Sequence, residues 1–141
     1  DMLYIEYSTD GGSTWTNVNN VNNQQVIITT PSISAGNNVK WRGWAQQGGT
    51  LSKNVNQSHF SSTGRYNITG NIMSLISGDS FTAATAFTNT WVFHSLFDHA
   101  NVVSAENLIM PVTTLTNDCY RAMFANATGL TVAPALPATT V

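Results

Sequence analysis

The chain has 141 residues, enough for one ordinary domain or two small ones, and with 42% hydrophobic residues its composition permits a packed core. Only 9% of residues are charged, against about 25% in an ordinary soluble domain, so the polar surface must be built from Asn, Thr, Ser and Gln, a pattern of extracellular and fibre-like proteins more than of cytosolic enzymes. The net charge of −2 comes without a basic cluster, which argues against nucleic acid or an anionic membrane as partner.

A lone cysteine, Cys119, excludes an internal disulfide framework. No apolar run reaches the roughly 18 residues of a membrane-spanning helix, so membrane insertion is not expected. The chain opens on Asp1-Met2 without a charged-then-apolar leader. It reads as a processed chain or a fragment, with its end cut in mid-pattern.

The first half reads as strands. Residues 3–7 alternate and are rich in β-formers. Asp10-Gly11-Gly12 follows, a hairpin signal between two β-rich runs. The octet from Ser8 to Trp15 has the form Ser-x-Asp-x-Gly-x-Thr-Trp and resembles the Asp-box of sialidase propeller blades. That resemblance implies a turn held by the Asp and Ser side chains with the Trp packed beneath. A propeller needs several copies and this chain has one, so a self-stabilised hairpin is expected, without a catalytic role.

Residues 26–30 read as the next strand, stopped by Pro31, and residues 33–38 as a turn. Residues 39–45 alternate, with Val39, Trp41, Gly43 and Ala45 on one face and Lys40, Arg42 and Trp44 on the other. Trp44 beside Arg42 is a candidate platform for a sugar or aromatic ligand; the plainer alternative is that Trp44 covers a neighbouring strand. Residues 46–58 read as a long loop and residues 59–68 as one or two more strands. Several short strands with turn signals suggest a small β-sandwich. Gly70 to Gly78 reads as the joint between two halves, Asp79 to Phe81 as a short turn, and residues 82–90 as loop.

The second half is written twice. Residues 93–115 and 120–141 share an aromatic (Phe93, Tyr120), then Leu96 or Met123, Phe97 or Phe124, Ala100 or Ala127, and an aliphatic followed by Ser or Thr. They meet again at Pro-x-Thr-Thr-aliphatic. The offset is 27 residues, falling to 26 from Pro111 to Pro137. Self-similarity at such a period marks a stacked-repeat architecture, whose units need neighbours to bury their apolar faces. Phe93, Leu96, Phe97 and Ala100 are spaced i, i+3, i+4, i+7, as are Tyr120, Met123, Phe124 and Ala127, which predicts one short amphipathic helix per copy. Brief extended segments follow at residues 102–104 and 130–132.

Three further stretches carry a family resemblance. They are Gly70-Asn71-Ile72-Met73-Ser74-Leu75-Ile76, Ser104-Ala105-Glu106-Asn107-Leu108-Ile109-Met110-Pro111, and Cys119-Tyr120 with Met123-Phe124. With Ala133-Pro134 and Pro137-Ala138-Thr139-Thr140 they resemble the BspA-like leucine-rich-repeat proteins of gut anaerobes and their phages, over residues 70–141. The second copy carries Asn126-Ala127-Thr128 where that family commonly has Gly-Cys-Thr. The resemblance implies a non-enzymatic, extracellular role in adhesion or display.

Other constellations are weak. His94 and Asp98, with His99, suggest a metal or acid–base site, but zinc wants three or four ligands, and the second copy has Arg121, Ala125 and Asn126 there. A solvated face is the plainer reading. No nucleophile motif accompanies the Ser, His and Asp residues, and Cys119 reads as a small buried hydrophobe.

The expected fold is mainly β with minor α: a small β-sandwich-like module over residues 1–69, then a linker and about two short leucine-rich-type repeats over residues 70–141. The expected function is a surface-displayed structural or binding module without catalytic residues, metal or cofactor. A virion component, in a phage head or tail fibre, is the first expectation. A bacterial adhesin fragment and a carbohydrate-binding module of a glycan-processing enzyme are the alternatives. Two repeats leave a stacking face uncovered, so Phe93, Leu96, Tyr120 and Met123 are expected to form an assembly face. The expected partners are copies of the chain in a homo-oligomer such as a trimer, or a larger virion or cell-surface assembly, and host glycan or protein.

Overall fold

A computed structural model describes residues 3–19, 28–45, 51–52 and 57–139. Strand β1 (Leu3–Ser8) turns through the Asp-Gly-Gly hairpin into β2 (Thr16–Asn19), and β3 (Lys40–Ala45) pairs with the other edge of β1. The order is β2-β1-β3, antiparallel throughout. Gly11 (φ 76°) and Gly12 (φ 97°) supply the positive φ values of the turn at no steric cost.

The mainly β class is shown; among the described residues of the first module these three strands form one sheet, and no second sheet packs on it as a sandwich would require. Of the strand expected at residues 26–30, Val26 and Ile27 lie outside the described residues, and 28–30 form no strand. Most of the expected loop at 46–58 also lies outside them. Residues 59–65, expected as strand, form none, and pairing begins only at β4 (Tyr66–Asn71).

Strand β4 pairs with β5 (Val102–Ile109) in parallel, from Tyr66↔Val102 to Asn71↔Ile109. Parallel neighbours need a crossover, supplied here by the single turn α1 (Ser74–Ser77), a 3₁₀ segment (Gly78–Ala83) and the chain up to Asn101. Ser104 then bridges Val132 in parallel, so a third chain segment lies beside β5. A boundary between residues 69 and 70 would cut β4; the second sheet starts at Tyr66. Ser104 to Asn107 are poor strand formers, yet β5 runs through them because pairing on both sides overrides propensity.

The halves meet without a gap. Trp44 bridges Ser77 across the join. A Cβ on Gly43 would collide with the carbonyl oxygens of Leu75 and Tyr4, so only glycine lets α1 lie on β3. The core runs from this join through Met73, Phe93, Leu96, Val102 and Val112, all at most 1% exposed.

Residues 91–99 and 118–126 are not helices. Trp91, Ser95 and His99 have φ of 55–61°, and Asp118, Ala122 and Asn126 have φ of 52–57°. A left-handed residue at every fourth position breaks the i to i+4 bonding of an α-helix. The chain instead closes three-residue turns, such as His94 N–H to Trp91 C=O at 3.3 Å and Asp98 N–H to Ser95 C=O at 3.0 Å. The apolar spacing suits a helix, but this ribbon also repeats every four residues and places the same side chains inward.

Candidate functional site

The two similar segments lie side by side. The amides of Trp91, Phe93, Ser95, Phe97 and His99 donate to the carbonyls of Asn117, Cys119, Arg121, Met123 and Ala125, at 2.8–3.2 Å. The intervening amides of His94, Leu96 and Asp98 close the local turns. Alternate peptide groups therefore serve the turn and the neighbour, which satisfies the backbone without helix or sheet. Thr131 N–H to Val103 C=O, Ala105 N–H to Val132 C=O and Thr139 N–H to Thr113 C=O continue the registration.

Side chains follow the same register. Phe93 stacks on Tyr120 with ring planes 9° apart, and Phe97 on Phe124 at 5.3 Å between centroids. Phe60 stacks on the other side of Phe97 at 5.7 Å, and its amide donates to the Leu96 carbonyl as that of Phe97 does to Met123. Phe60 therefore occupies an earlier layer of the same stack. Trp41 and Tyr7 extend the ring series into the first sheet. Reading the sequence alone misses Phe60, because its surroundings lack the spacing of the later copies.

The expected assembly face is corrected by burial. Phe93 and Leu96 are 0% exposed and Met123 is 4% exposed. Tyr120 is half-buried, against Phe87 and Phe93. Phe93, Leu96 and Met123 are therefore interior, and Tyr120 is a partly buried residue packed against them. What remains open is backbone. Asp118, Tyr120, Ala122, Phe124 and Asn126 occupy the positions of the five donors in the first segment. Among the described residues, none of their amides donates to another backbone carbonyl.

The candidate platform is filled by its own members. The Arg42 guanidinium lies 4.0 Å from the Trp15 ring centre and 5.1 Å from that of Trp44. It bonds Glu6 at 2.8 Å and Asp79 at 3.0 Å. Desolvation works against its charge, but the bonds to Glu6 and Asp79 outweigh it and raise its pKa. Trp44 also lies directly on Gly78, where no Cβ fits. The cluster ties β1, β3 and the 3₁₀ segment together and engages Arg42 through Nε and Nη1.

The hairpin is held as the Asp-box pattern implies. Asp10 accepts from the Thr14 amide (2.9 Å) and hydroxyl (2.6 Å) and from the Ser8 hydroxyl (2.7 Å), while the Gly12 amide donates to Ser8 Oγ (2.9 Å). The bonds from Thr14, then that from Ser8, hold the Asp10 carboxyl well below the usual carboxylate range. Lys40 caps the turn by donating to the Gly11 carbonyl at 2.6 Å. An open groove of about 350 Å³ beside it is lined by Thr9, Asp10, Gly36, Asn37, Asn38 and Lys40. A carboxylate saturated by turn donors is a structural group, poorly placed to abstract a proton.

The remaining titratable groups do not converge. His94 is buried under Trp91, and its Nδ1 has no partner among the described residues. Asp98 points outward and accepts from Asn126 and His99, bonds that lower its pKa against a smaller opposing effect of burial. His94 and Asp98 therefore share no face. Among the described residues no cluster of three His, Cys, Asp or Glu could hold a metal. Cys119 is 3% exposed, and burial raises its thiol pKa, so it is not poised as a thiolate. No described helix is long and apolar enough to cross a membrane.

Comparison with family models, with curated proteins and with solved structures finds no match to this chain.

Proposed function

We propose that the chain is a non-enzymatic, surface-displayed structural or binding module, made of leucine-rich-type repeats of the BspA-like kind stacked on a small β-sheet. The observation that carries the reading is the ladder from residues 91–99 to residues 117–125, whose bonding and ring stacking follow the repeat offset of the sequence. Stacked units build extended surfaces rather than enclosed pockets. Low charge and an Asn/Thr-rich surface suit an extracellular setting. The assembly we place it in is a virion, as part of a phage head or tail fibre, with a cell-surface adhesin as the second setting. A carbohydrate-processing role is less well supported, since Arg42 and Trp44 are engaged with each other and with Glu6, Asp79 and Gly78.

Immunogold labelling with antibody fragments against this chain, on intact virions and intact cells of the source, tests the proposal. Labelled virions support the virion setting, and labelled intact cells support the adhesin. Label that appears only after lysis contradicts surface display.

A further inference from the structure

The outward face of the first sheet holds an arginine whose neighbours leave part of its fork open. Strand alternation and the pairs Glu6↔Arg42 and Glu6↔Asn17 put Arg42, Glu6 and Asn17 on one face. The opposite face carries Ile5 and Trp41, which pack against the core. Arg42 therefore looks away from the core, with the rings of Trp15 and Trp44 beside its guanidinium.

The two carboxylates on Arg42 are unlike. Glu6, with its side chain 17% exposed, holds Nε at 2.8 Å from within the sheet. Asp79 reaches in from the 3₁₀ segment with its side chain 79% exposed, and sets both oxygens on Nη1 alone, at 3.0 and 3.1 Å. Nη2 makes no hydrogen bond among the described residues. An exposed ion pair contributes little, because water solvates the carboxylate nearly as well. Glu6 is thus a fixed support and Asp79 a displaceable occupant.

The fork is also held ready. Trp15 lies 4.0 Å from the guanidinium, and Trp44 is pinned against Gly78, where a Cβ would overlap its indole. A ligand spends little on ordering a group already fixed. A carboxylate that spans Nη1 and Nη2 makes two parallel bonds, where Asp79 engages one nitrogen.

We propose that this face recognises a saccharide carrying a carboxylate, a uronic acid unit, which displaces Asp79 and takes Nη1 and Nη2 of Arg42 together. The indole edges of Trp15 and Trp44 and the exposed amide of Asn17 favour a sugar over an acidic peptide. Pyranose C–H groups pack on indole, and hydroxyls pair with an amide. The site gives the displayed module a ligand and rests on that reading.

An NMR titration of the whole chain with trigalacturonic acid tests it, read at the indole N–H signals of Trp15 and Trp44 and at Nε–H of Arg42. These signals should shift saturably, with an affinity that falls as salt is added. Asp79→Ala should tighten binding by about two- to fivefold, since it removes a weak competitor. Arg42→Lys keeps the charge but loses the fork, and should weaken binding by about tenfold or more. The fully methyl-esterified trisaccharide should not bind. Where Arg42→Lys disturbs the amide spectrum, Asp79→Ala decides alone, because it alters an exposed side chain; unchanged or weaker binding there sinks the displacement. Equal binding of the methyl ester overturns carboxylate recognition, and equal shifts from triglutamate overturn the saccharide. Absence of any saturable shift ends the proposal, while surface display is judged separately by the labelling of virions and cells.

Discussion

Phe97 is joined to Phe124 twice over: their rings stack at 5.3 Å with planes 16° apart, and the Phe97 amide bonds the Met123 carbonyl beside Phe124 at 2.8 Å. Backbone and side chain thus report the same register between the two segments. The positions are not energetically equal, however. Phe97 is 5% exposed, with Phe60 on its other face, whereas Phe124 is half-buried at the open edge.

Phe97→Ala is therefore expected to cost about 3–5 kcal/mol, the range for a fully buried ring. Phe124→Ala should cost less, since part of its surface already faces solvent. Chemical denaturation of both variants checks the order. Equal losses would mean that Phe124 is covered.

Ala122 separates the turn ribbon from a helix by the sign of one substitution. In an exposed helix interior, Ala→Gly costs about 1 kcal/mol. Here Ala122 is exposed and sits at φ 52°, a left-handed conformation that burdens any residue with a Cβ. Ala122→Gly is expected to stabilise by about 0.5–1 kcal/mol, and Ala122→Val to destabilise. A fall in melting temperature for the glycine variant would restore the helix.

Asp10→Ala should loosen the β1–β2 hairpin, because it removes three bonds that close the turn. The carboxyl pKa is depressed in the folded state, so its contribution is complete above the usual carboxylate range. It is lost as pH falls through the lower folded value. Melting temperature against pH should show an acid-side decline that is weaker in Asp10→Ala than in the parent. Identical acid profiles would contradict the bonding described.

Tyr66 and Tyr120 each bury a hydroxyl with no partner among the described residues. Burial pushes the Tyr66 pKa up to about 12 and, together with the Cys119 charge, raises that of Tyr120 as well. Each phenol is kept neutral by the fold. Its contribution to stability is present below the ordinary value of 10.0 and, for Tyr66, lost as pH rises from there to about 12. Tyrosinate absorbance should show a late-titrating component that shrinks in Tyr66→Phe and in Tyr120→Phe. Tyr120→Phe should leave stability unchanged or raise it by up to about 1 kcal/mol, since an unpaired buried hydroxyl is removed. A clear loss would reveal a partner for that hydroxyl.

The hairpin of Ser8 to Trp15 and the strand around Trp41 were legible because turn chemistry and alternation are local signals. The identity of the buried residues in the duplicated half was legible too, since Phe93, Leu96 and Phe97 fall on one stripe. Their conformation was not. A helix with 3.6 residues per turn and a ribbon repeating every four share the i, i+4 spacing over so short a run. Among the residues held at positive φ, His99, Asp118 and Asn126 are types that tolerate it. Trp91, Ser95 and Ala122 are not distinctive, so the period of four was hidden. Phe60 and Glu6 join their partners over long sequence separations, which a local pattern does not record.

Residue-resolved amide exchange on the unaltered chain bears most directly on the ladder. The account predicts protection at consecutive positions from Phe93 to Ala100. In the second segment it predicts protection only at Cys119, Arg121, Met123, Ala125 and Ala127, with Tyr120, Ala122, Phe124 and Asn126 exchanging fast. Uniform protection of consecutive residues in both segments, as a helix would give, would contradict it.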